Sequence, residues 1–317
     1  MLPAMRIAVV GAGGVGGYFG ARLQRGGQEV VFLARGAQLA ALRASGLRVS
    51  GLSGDFHLQS VVATDDPLAI GAVDAVLVAV KTWQLAEAAR GIAPLVGPDT
   101  VVVPLLNGVE APAVLAAALG RGPVAAGLCG IVAYLVEPGH VRHEGVEPYV
   151  RFGELDNRQS ARLERLRGAF NEAGVRAEIP ADILAALWMK LLFIAPVSGV
   201  GALTRAPIGA WRELAGAHGL AERAMREVAA VAAARGVALP PDAVERTRAF
   251  LDAMAPGSTS SLQRDFESGR RSELDAQVGA VVRLGAETGV ETPASRLLYD
   301  CLLPQELAAR DKPRAGS

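Results

Sequence analysis

The sequence is short of several residue types, and each shortage narrows what the protein can be. Its 317 residues include two cysteines, Cys129 and Cys301, which are far apart and lack metal-site spacing. This argues against a disulfide framework and fits a reducing, cytoplasmic compartment. Basic and acidic residues balance at 32 each, so nothing points to nucleic acid or an acidic membrane surface as a partner. No basic segment followed by an apolar run opens the chain, so no signal peptide is expected.

Lysine is also scarce, because Lys81, Lys190 and Lys312 stand against 29 arginines. Because the chain carries arginine at nearly all of its basic positions, a lysine inside an apolar segment suggests a specific role for that lysine. Lys312 needs none, since it lies in a polar C-terminal tail that is expected to fray. Lys190 does, because the segment around it is nearly all apolar.

The pattern of predicted secondary structure changes near residue 180. Residues 5–180 alternate β-rich runs with helical stretches, which is the rhythm of right-handed crossovers and a doubly wound parallel sheet. From Pro180 to about Leu307 the sequence has helical periodicity and no strand rhythm. We therefore predict an α/β fold: an N-terminal Rossmann-type domain at 1–180, then an all-helical domain at 181–317.

Hydrophobic periodicity and helix-boundary signals predict the individual elements. The strands are predicted at 6–10, 29–33, 73–80, 100–106, 123–136, 149–153 and 175–179. The helices are predicted at 16–26, 161–172, 183–203, 213–235, 241–254 and 273–288.

A glycine-rich loop follows the first predicted strand. Gly11-Ala12-Gly13-Gly14-Val15-Gly16 is G-x-G-x-x-G, a weak signal alone but a strong one between a strand and a helix. Gly11 allows the tight turn, Gly13 lets the backbone approach a pyrophosphate, and Gly16 permits close helix packing. The helix N-terminus adds N–H donors for phosphates. An ordinary glycine turn is the alternative; we predict a dinucleotide site at Gly11, Gly13, Gly14 and Gly16.

The end of the second predicted strand bears on the choice between NAD and NADP. An acidic residue there would bind the ribose hydroxyls of NAD. The sequence instead reads Phe32-Leu33-Ala34-Arg35-Gly36, and Arg35 can pair bidentately with a 2′-phosphate. A solvated loop arginine is the alternative. The pattern favours NADP (NADPH).

Lys190 lies within the apolar stretch 183–203. The stretch is long enough to span a membrane, but Lys190, Pro196 and the small residues after it favour a buried central helix. A buried ammonium must be paired or face a cavity, and there it can serve as a proton donor. The alternative is a lysine that reaches the surface from a half-buried helix.

Glu273 is the natural partner for Lys190. Ser272 is predicted as a helix N-cap, which places Glu273 in the first turn, where a carboxylate is favoured even without a function. Upstream, Ser260 and Gln263 form a capping-box pattern. A hydroxyl-rich helix start also suits a carboxylate ligand, so Ser261 is a candidate anion contact.

Taken together, these residues resemble the ketopantoate reductase (2-dehydropantoate 2-reductase) family from about residue 5 to 303. Six segments in the right order carry the resemblance, which makes it far more specific than any one of them. They are the Gly11 loop, the Arg35 strand end, Val80-Lys81-Thr82-Trp83-Gln84, Leu106-Asn107-Gly108-Val109-Glu110, Trp188-Met189-Lys190-Leu191 and the stretch 258–273.

The resemblance implies an NADPH-dependent reduction of a 2-keto acid, with ketopantoate in pantothenate biosynthesis as the leading substrate. Lys190 would polarise the carbonyl and donate the proton, while Glu273 would orient that lysine and bind substrate. Asn107 would reach cofactor and substrate from the end of its strand, although Asn107-Gly108 is equally a plain turn. Lys81 would contact the cofactor, although a solvated lysine is equally expected from its position alone. Ser261 would bind the substrate carboxylate.

The sequence departs from the family pattern at three positions. Four residues after Lys190, where the family typically carries Asn, stands Ile194, and four further on stands Ser198. Three residues before Ser261, Ser258 replaces another substrate-binding Asn. The reaction machinery is thus retained, whereas the polar lining of the predicted substrate site is altered. The predicted substrate-binding positions are Asn107, Lys190, Ile194, Ser198, Ser258, Ser261 and Glu273.

Two further features are interpreted as structural. His140-Val141-Arg142-His143 has near-metal spacing but no convincing third ligand, so a solvated loop and no metal site are expected. Cys129 is expected in the core of an apolar strand.

Two other functions remain open at this stage. One is a paralogous reductase that acts on a different carbonyl compound, and the other is a non-catalytic NADP-binding sensor. The sensor predicts a damaged proton donor, and the presence of both Lys190 and Glu273 counts against it. The alanine-rich helical half could offer a homodimer face, but no distinct patch stands out.

Overall fold

The computed structural model describes residues 3–52 and 54–311, so Lys312 and its tail lie outside the described residues. The chain forms two compact units. The first contains the chain up to Leu106 together with Ala111–Ile183. The second contains Asn107–Glu110 and the chain from Leu184 on.

The first unit contains ten strands and five α-helices within the described residues. The strands are β1 (Arg6–Val10), β2 (Glu29–Leu33), β3 (Leu47–Gly51), β4 (Phe56–Leu58), β5 (Val62–Thr64), β6 (Val73–Val78), β7 (Val96–Pro104), β8 (Ala125–Glu137), β9 (His140–Glu154) and β10 (Arg176–Glu178). The helices are α1 (Gly14–Arg25), α2 (Gly36–Ser45), α3 (Leu85–Gly91), α4 (Ala111–Leu119) and α5 (Ala161–Glu172).

The central sheet of this unit is parallel, with strand order β5-β2-β1-β6-β7. Strand β1 lies in the middle, where Ile7 pairs with Val30 of β2 and with Ala75 of β6. The central strands are apolar on both faces because helices cover both, as a parallel sheet requires. The predicted Rossmann-type sheet is confirmed.

A second sheet has the order β10-β9-β3-β4, with β8 paired antiparallel to β9. The strands predicted at 123–136 and 149–153 belong to this sheet. The prediction of a solvated loop at His140–His143 is wrong, because β9 begins at His140. His143 is buried, and its Nε2 lies 2.9 Å from the Val146 carbonyl oxygen. No cluster of potential metal ligands occurs in the described part of the chain.

The second unit contains helices and no strands among its described residues, as predicted. After α6 (Ile183–Thr204) come α7 (Ile208–Arg212), α8 (Ala215–Ala234), α9 (Ala243–Ala253), α10 (Ser261–Glu267), α11 (Val278–Thr288) and α12 (Pro293–Arg310).

Helix α6 runs through the core of this unit. It continues past Pro196, and its apolar side chains pack with those of α8 and α11 in one cluster. By length and composition it could cross a membrane, but 61% of its most apolar window is buried inside the protein. It is therefore the mostly buried core helix that the sequence predicts.

Candidate active site

The glycine loop joins β1 to α1 at the carboxyl edge of the parallel sheet. Gly11 has φ +94°, a conformation that favours glycine, and its N–H donates to the Leu33 carbonyl oxygen at 3.0 Å. A Cβ on Gly11 would lie 2.9 Å from the Val80 side chain, and one on Gly16 would meet the Gly11 carbonyl oxygen. Close packing therefore requires glycine at both positions.

Gly13 differs from its neighbours because a Cβ there would have no atom within 4 Å. Gly13 is also the N-cap of α1, and no side chain caps that helix start. The backbone at Gly13 can therefore be approached closely, and the helix start has no side-chain cap, which suits a bound pyrophosphate. Gly14 faces elsewhere: a Cβ there would meet the Ala133 carbonyl oxygen of β8. Packing alone accounts for glycine at position 14.

Arg35 lies at the carboxyl end of β2 and is the N-cap residue of α2. Its Nη1 is 2.7 Å from Oε1 of Glu87, which lies in the first turn of α3. Both side chains are mostly exposed, at 75% for Arg35 and 64% for Glu87. The strand end thus faces a carboxylate that sequence reasoning missed, because Glu87 comes from an element 52 residues further along.

Lys81 follows the end of β6, on the same edge of the sheet as the glycine loop and Arg35. Its backbone N–H donates to the side chain of Gln84 at 3.2 Å, which fixes a short 3-10 turn at Thr82–Gln84. Its Nζ lies 5.7 Å from the centre of the Trp83 ring, a cation–π arrangement. The residues expected to contact the cofactor therefore all lie along one sheet edge, apart from Asn107.

Three predicted site residues lie one helical turn apart along α6. Lys190 and Ile194 are half-buried, whereas Ser198 is buried with 3% exposure. Residues separated by four positions share a helix face, so Ile194 is the neighbour of Lys190 on that face. A hydrocarbon therefore borders the predicted proton donor.

Glu273 lies in a turn rather than in a helix. Helix α11 begins at Val278, so the prediction of a helix from 273 with Ser272 as its N-cap is wrong. Ser272 Oγ instead accepts the Leu274 N–H at 3.2 Å, and the Glu273 carbonyl accepts from Gln277 at 3.1 Å. The Glu273 side chain is buried, with 8% of the residue exposed.

Asn107 and Glu273 meet directly in the second unit. Asn107 Nδ2 donates to Glu273 Oε2 at 2.9 Å. Gly108, at φ +90°, brings the loop so close to the Ala276 carbonyl that a Cβ would lie 2.5 Å from its oxygen. Glu110 pairs with Arg283 at 2.6 Å and ties the other end of the loop to α11.

Helix α12 holds the turn that carries Glu273. Glu306, with 1% exposure, accepts from Ser272 through its N–H at 2.9 Å and its Oγ at 2.6 Å. On the other side Asp275 accepts from Tyr299 at 2.7 Å and from Arg310. Burial, followed by the hydrogen bond to Asp275, raises the pKa of Tyr299. This support could not be predicted, because nothing in the sequence of α12 marks the Glu306 carboxylate.

The predicted serine contacts lie at the start of α10. Ser260 is its N-cap and accepts the Gln263 N–H at 3.0 Å, as predicted. The Gln263 side chain, however, donates to Ala206 and Glu267, so it is engaged away from the helix start. Ser261 is exposed and Ser258 is half-buried.

Comparison with known proteins agrees with this architecture. Residues 7–157 match the family Ketopantoate reductase PanE/ApbA, and residues 182–306 match Ketopantoate reductase PanE/ApbA C terminal. An uncharacterized oxidoreductase, YkpB of Bacillus subtilis (strain 168), is 30% identical over 93% of this chain and 97% of its own length.

Two solved structures illustrate the range of similar proteins. A 2-dehydropantoate 2-reductase from Geobacter metallireducens GS-15 has a TM-score of 0.87 and 34% identity, covering 94% of this chain and 99% of that one. A D-mandelate dehydrogenase with NADH and anilino(oxo)acetate has a TM-score of 0.87, covering 96% and 100%; at 23% identity it shares the fold alone.

The fold and the glycine loop define a nicotinamide-dependent oxidoreductase. The chain belongs to the ketopantoate reductase PanE/ApbA family.

Proposed function

We propose that the protein reduces a 2-keto acid with NADPH, and that ketopantoate, which becomes pantoate, is the first substrate to test. The hydrogen bond between Asn107 and Glu273 carries the proposal. The family resemblance assigns both residues to the substrate site. They are 166 positions apart in sequence, yet they are in direct contact in the second unit.

The reduction needs a hydride at the ketone carbon and a proton at its oxygen. The nicotinamide cofactor, when bound, supplies the hydride. Lys190 polarises the carbonyl and gives its ammonium proton to the forming alkoxide. Glu273 orients Lys190 and contacts substrate, and Asn107 holds the Glu273 carboxylate in position. Ser261 binds the substrate carboxylate, and Ser258 lines the substrate site.

The cofactor-binding residues fit a dinucleotide on the evidence of the glycine loop. The backbone open at Gly13 and the uncapped start of α1 receive the pyrophosphate. Arg35 binds the 2′-phosphate that distinguishes NADPH from NADH. Lys81 and Asn107 contact the cofactor nearer the nicotinamide. In this proposal residues 1–180 bind NADPH, and residues 181–317 together with Asn107 bind substrate, in the cytoplasm and within pantothenate biosynthesis.

A second candidate is a reductase of a less polar branched 2-keto acid. Ile194, which is half-buried one turn from Lys190, favours it because a hydrocarbon replaces the family's amide there.

The test is a screen of NADPH oxidation over a panel of 2-keto acids that includes ketopantoate and its deoxy analogue, with Lys190→Ala as the inactive control. We expect the natural protein to turn over one or more of these acids and the Lys190→Ala variant to turn over none. Folded protein that binds NADPH yet turns over none of them would contradict the proposal and favour the sensor.

A further inference from the structure

The ion pair between Arg35 and Glu87 joins two side chains that favour different cofactors. An arginine suits the 2′-phosphate of NADPH, whereas a carboxylate suits the ribose hydroxyls of NADH. Arg35 lies where a 2′-phosphate is expected, and its Nη1 already binds Glu87 Oε1 at 2.7 Å. Exposed pairs of this kind add little to stability, because solvent screens them and long side chains lose entropy. The pair is therefore dispensable for the fold, and both side chains are accessible to a ligand.

The Glu87 carboxylate acts differently on the two cofactors. A 2′-phosphate that pairs with Arg35 must share the guanidinium with Glu87, and its negative charge then lies close to the carboxylate. A 2′-hydroxyl brings no charge and can donate a hydrogen bond to that carboxylate, as ribose does to the acidic residue of NAD sites.

We propose that Glu87 is a specificity-determining residue that lowers the preference for NADPH over NADH. It competes with the 2′-phosphate for Arg35 and accepts a hydrogen bond from the 2′-hydroxyl of NADH. This inference rests on the proposed use of NADPH through Arg35, and it adds that NADH is an accessible second cofactor.

The experiment measures the dissociation constants of NADPH and NADH by fluorescence titration, which needs no substrate. Glu87→Gln keeps the size of the side chain and removes its charge. Glu164→Gln is the matched control, since Glu164 is also an exposed carboxylate on a first-unit helix paired with an arginine, Arg167.

Glu87→Gln should shift the ratio of the two dissociation constants toward NADPH by about three- to tenfold, the scale of one exposed charge and one hydrogen bond. The shift should shrink as salt is added, because exposed charges are screened. In an Arg35→Ala background the part of the shift that comes from competition for Arg35 should vanish, whereas the part that comes from the hydrogen bond to the 2′-hydroxyl should remain. Glu164→Gln should leave the ratio unchanged.

An unchanged ratio in Glu87→Gln, or a shift toward NADH, would overturn the inference, because Glu87 would then be neutral or would hold Arg35 ready for the phosphate. The proposed NADPH use fails separately. It fails if Arg35→Ala in the otherwise natural protein weakens both cofactors equally.

Discussion

At the scale of single residues, the two kinds of cation in this chain suit two different tasks. Arg35 is exposed at a strand end, where a permanent positive charge with a planar fork suits a phosphate. Lys190 is half-buried on α6, where an ammonium can give up its proton. A guanidinium stays protonated, so arginine cannot serve there even though the chain prefers arginine elsewhere.

Replacing Lys190 should therefore stop the chemistry and leave the protein folded. Lys190→Ala is expected to bind NADPH normally while kcat falls by about 10²–10⁴-fold, the usual scale of general acid catalysis. Lys190→Arg should recover little of that activity. Steady-state kinetics together with NADPH titration separate the two effects. Substantial turnover by the arginine variant would rule out proton donation by Lys190.

Ile194 sets the expected tolerance for substrates that lack a hydroxyl. A hydrocarbon wall has no polar group to leave unpaired, so it discriminates weakly between ketopantoate and its deoxy analogue. We expect the ratio of kcat/KM for the two substrates to lie well below about 10⁴, and Ile194→Asn to raise it. Ile194→Val, which stays apolar, is the matched control.

A ratio already near about 10⁴ in the natural protein would show that another group binds the hydroxyl. Ser258 would then be the next position to vary.

At the scale of elements, the turn that carries Glu273 depends on α12. Glu306→Gln removes the charge that accepts from the Ser272 N–H and Oγ and that pairs with Arg310, and should cost about 1–3 kcal/mol of stability. Because the turn carries Glu273, kcat/KM per folded molecule should fall as well. Tyr299→Phe, which removes only the hydrogen bond to Asp275, should have a smaller effect on both.

Thermal unfolding and kinetics on the same samples distinguish positioning from bulk stability. If Glu306→Gln lowers the melting temperature yet keeps full kcat/KM at a temperature where it is folded, Glu306 supports the fold and does not position Glu273.

Elements whose pattern is local could be predicted closely from the sequence. The strands Arg6–Val10 and Glu29–Leu33 and the helix Ala161–Glu172 have the bounds expected from apolar runs and helical spacing. The first two are buried between neighbouring strands, and Ser160 caps the helix by accepting the Leu163 N–H.

Elements that depend on distant partners could not. Strand β3 at Leu47–Gly51 was not predicted, because its partners lie in β4 and, much later in the chain, in β9. The first residues of β9 do alternate, with Val141 and His143 inward, but a buried histidine is not anticipated from composition. Ser272 Oγ accepts the N–H of Leu274, two residues further on. The sequence pattern of such a local turn is the same as that of a helix N-cap.

The candidate site divides in the same way. Asn107 and Glu273 could be named because the family segments mark both. Glu87 and Glu306 could not, because each acts through a contact with a residue far away in sequence, and a carboxylate on a helix surface is ordinary.

At the scale of the whole molecule, a buried ion pair in the first unit makes the stability of the protein depend on pH in the acid range. Glu154, at 3% exposure, pairs with Arg162 at 2.6 Å, and Arg162 also donates to the carbonyls of Thr100 and Gly122. Burial alone would raise the pKa of Glu154. The hydrogen bonds from Arg162 and Ser160, together with the positive charges of Arg162 and Arg158, outweigh it and hold that pKa below its usual value of 4.5.

Because the pKa of Glu154 is lower in the folded protein than in the unfolded chain, its ionised form stabilises the protein at pH values above the unfolded-state pKa. This stabilisation is lost as the pH falls through the folded-state pKa. Glu154→Gln should therefore cost about 3–5 kcal/mol near neutral pH. The gap to the natural protein should narrow in acid, below about pH 4. Chemical unfolding across this range measures it, with Glu164→Gln as a surface control. A gap that stays constant with pH would contradict the assignment.

The loop Asn107–Glu110 has a consequence for how the molecule can be divided. In sequence it lies between β7 and α4 of the first unit, yet it bonds to Glu273 and Arg283 of the second. Neither unit is therefore a continuous segment of the gene. A fragment ending at Ile183 would carry Asn107 without the carboxylate that it holds. A fragment starting at Leu184 would carry Glu273 without its amide donor. Splitting the coding sequence at that point thus separates a bonded pair, and an exchange of one unit between relatives must carry these four residues with the helices.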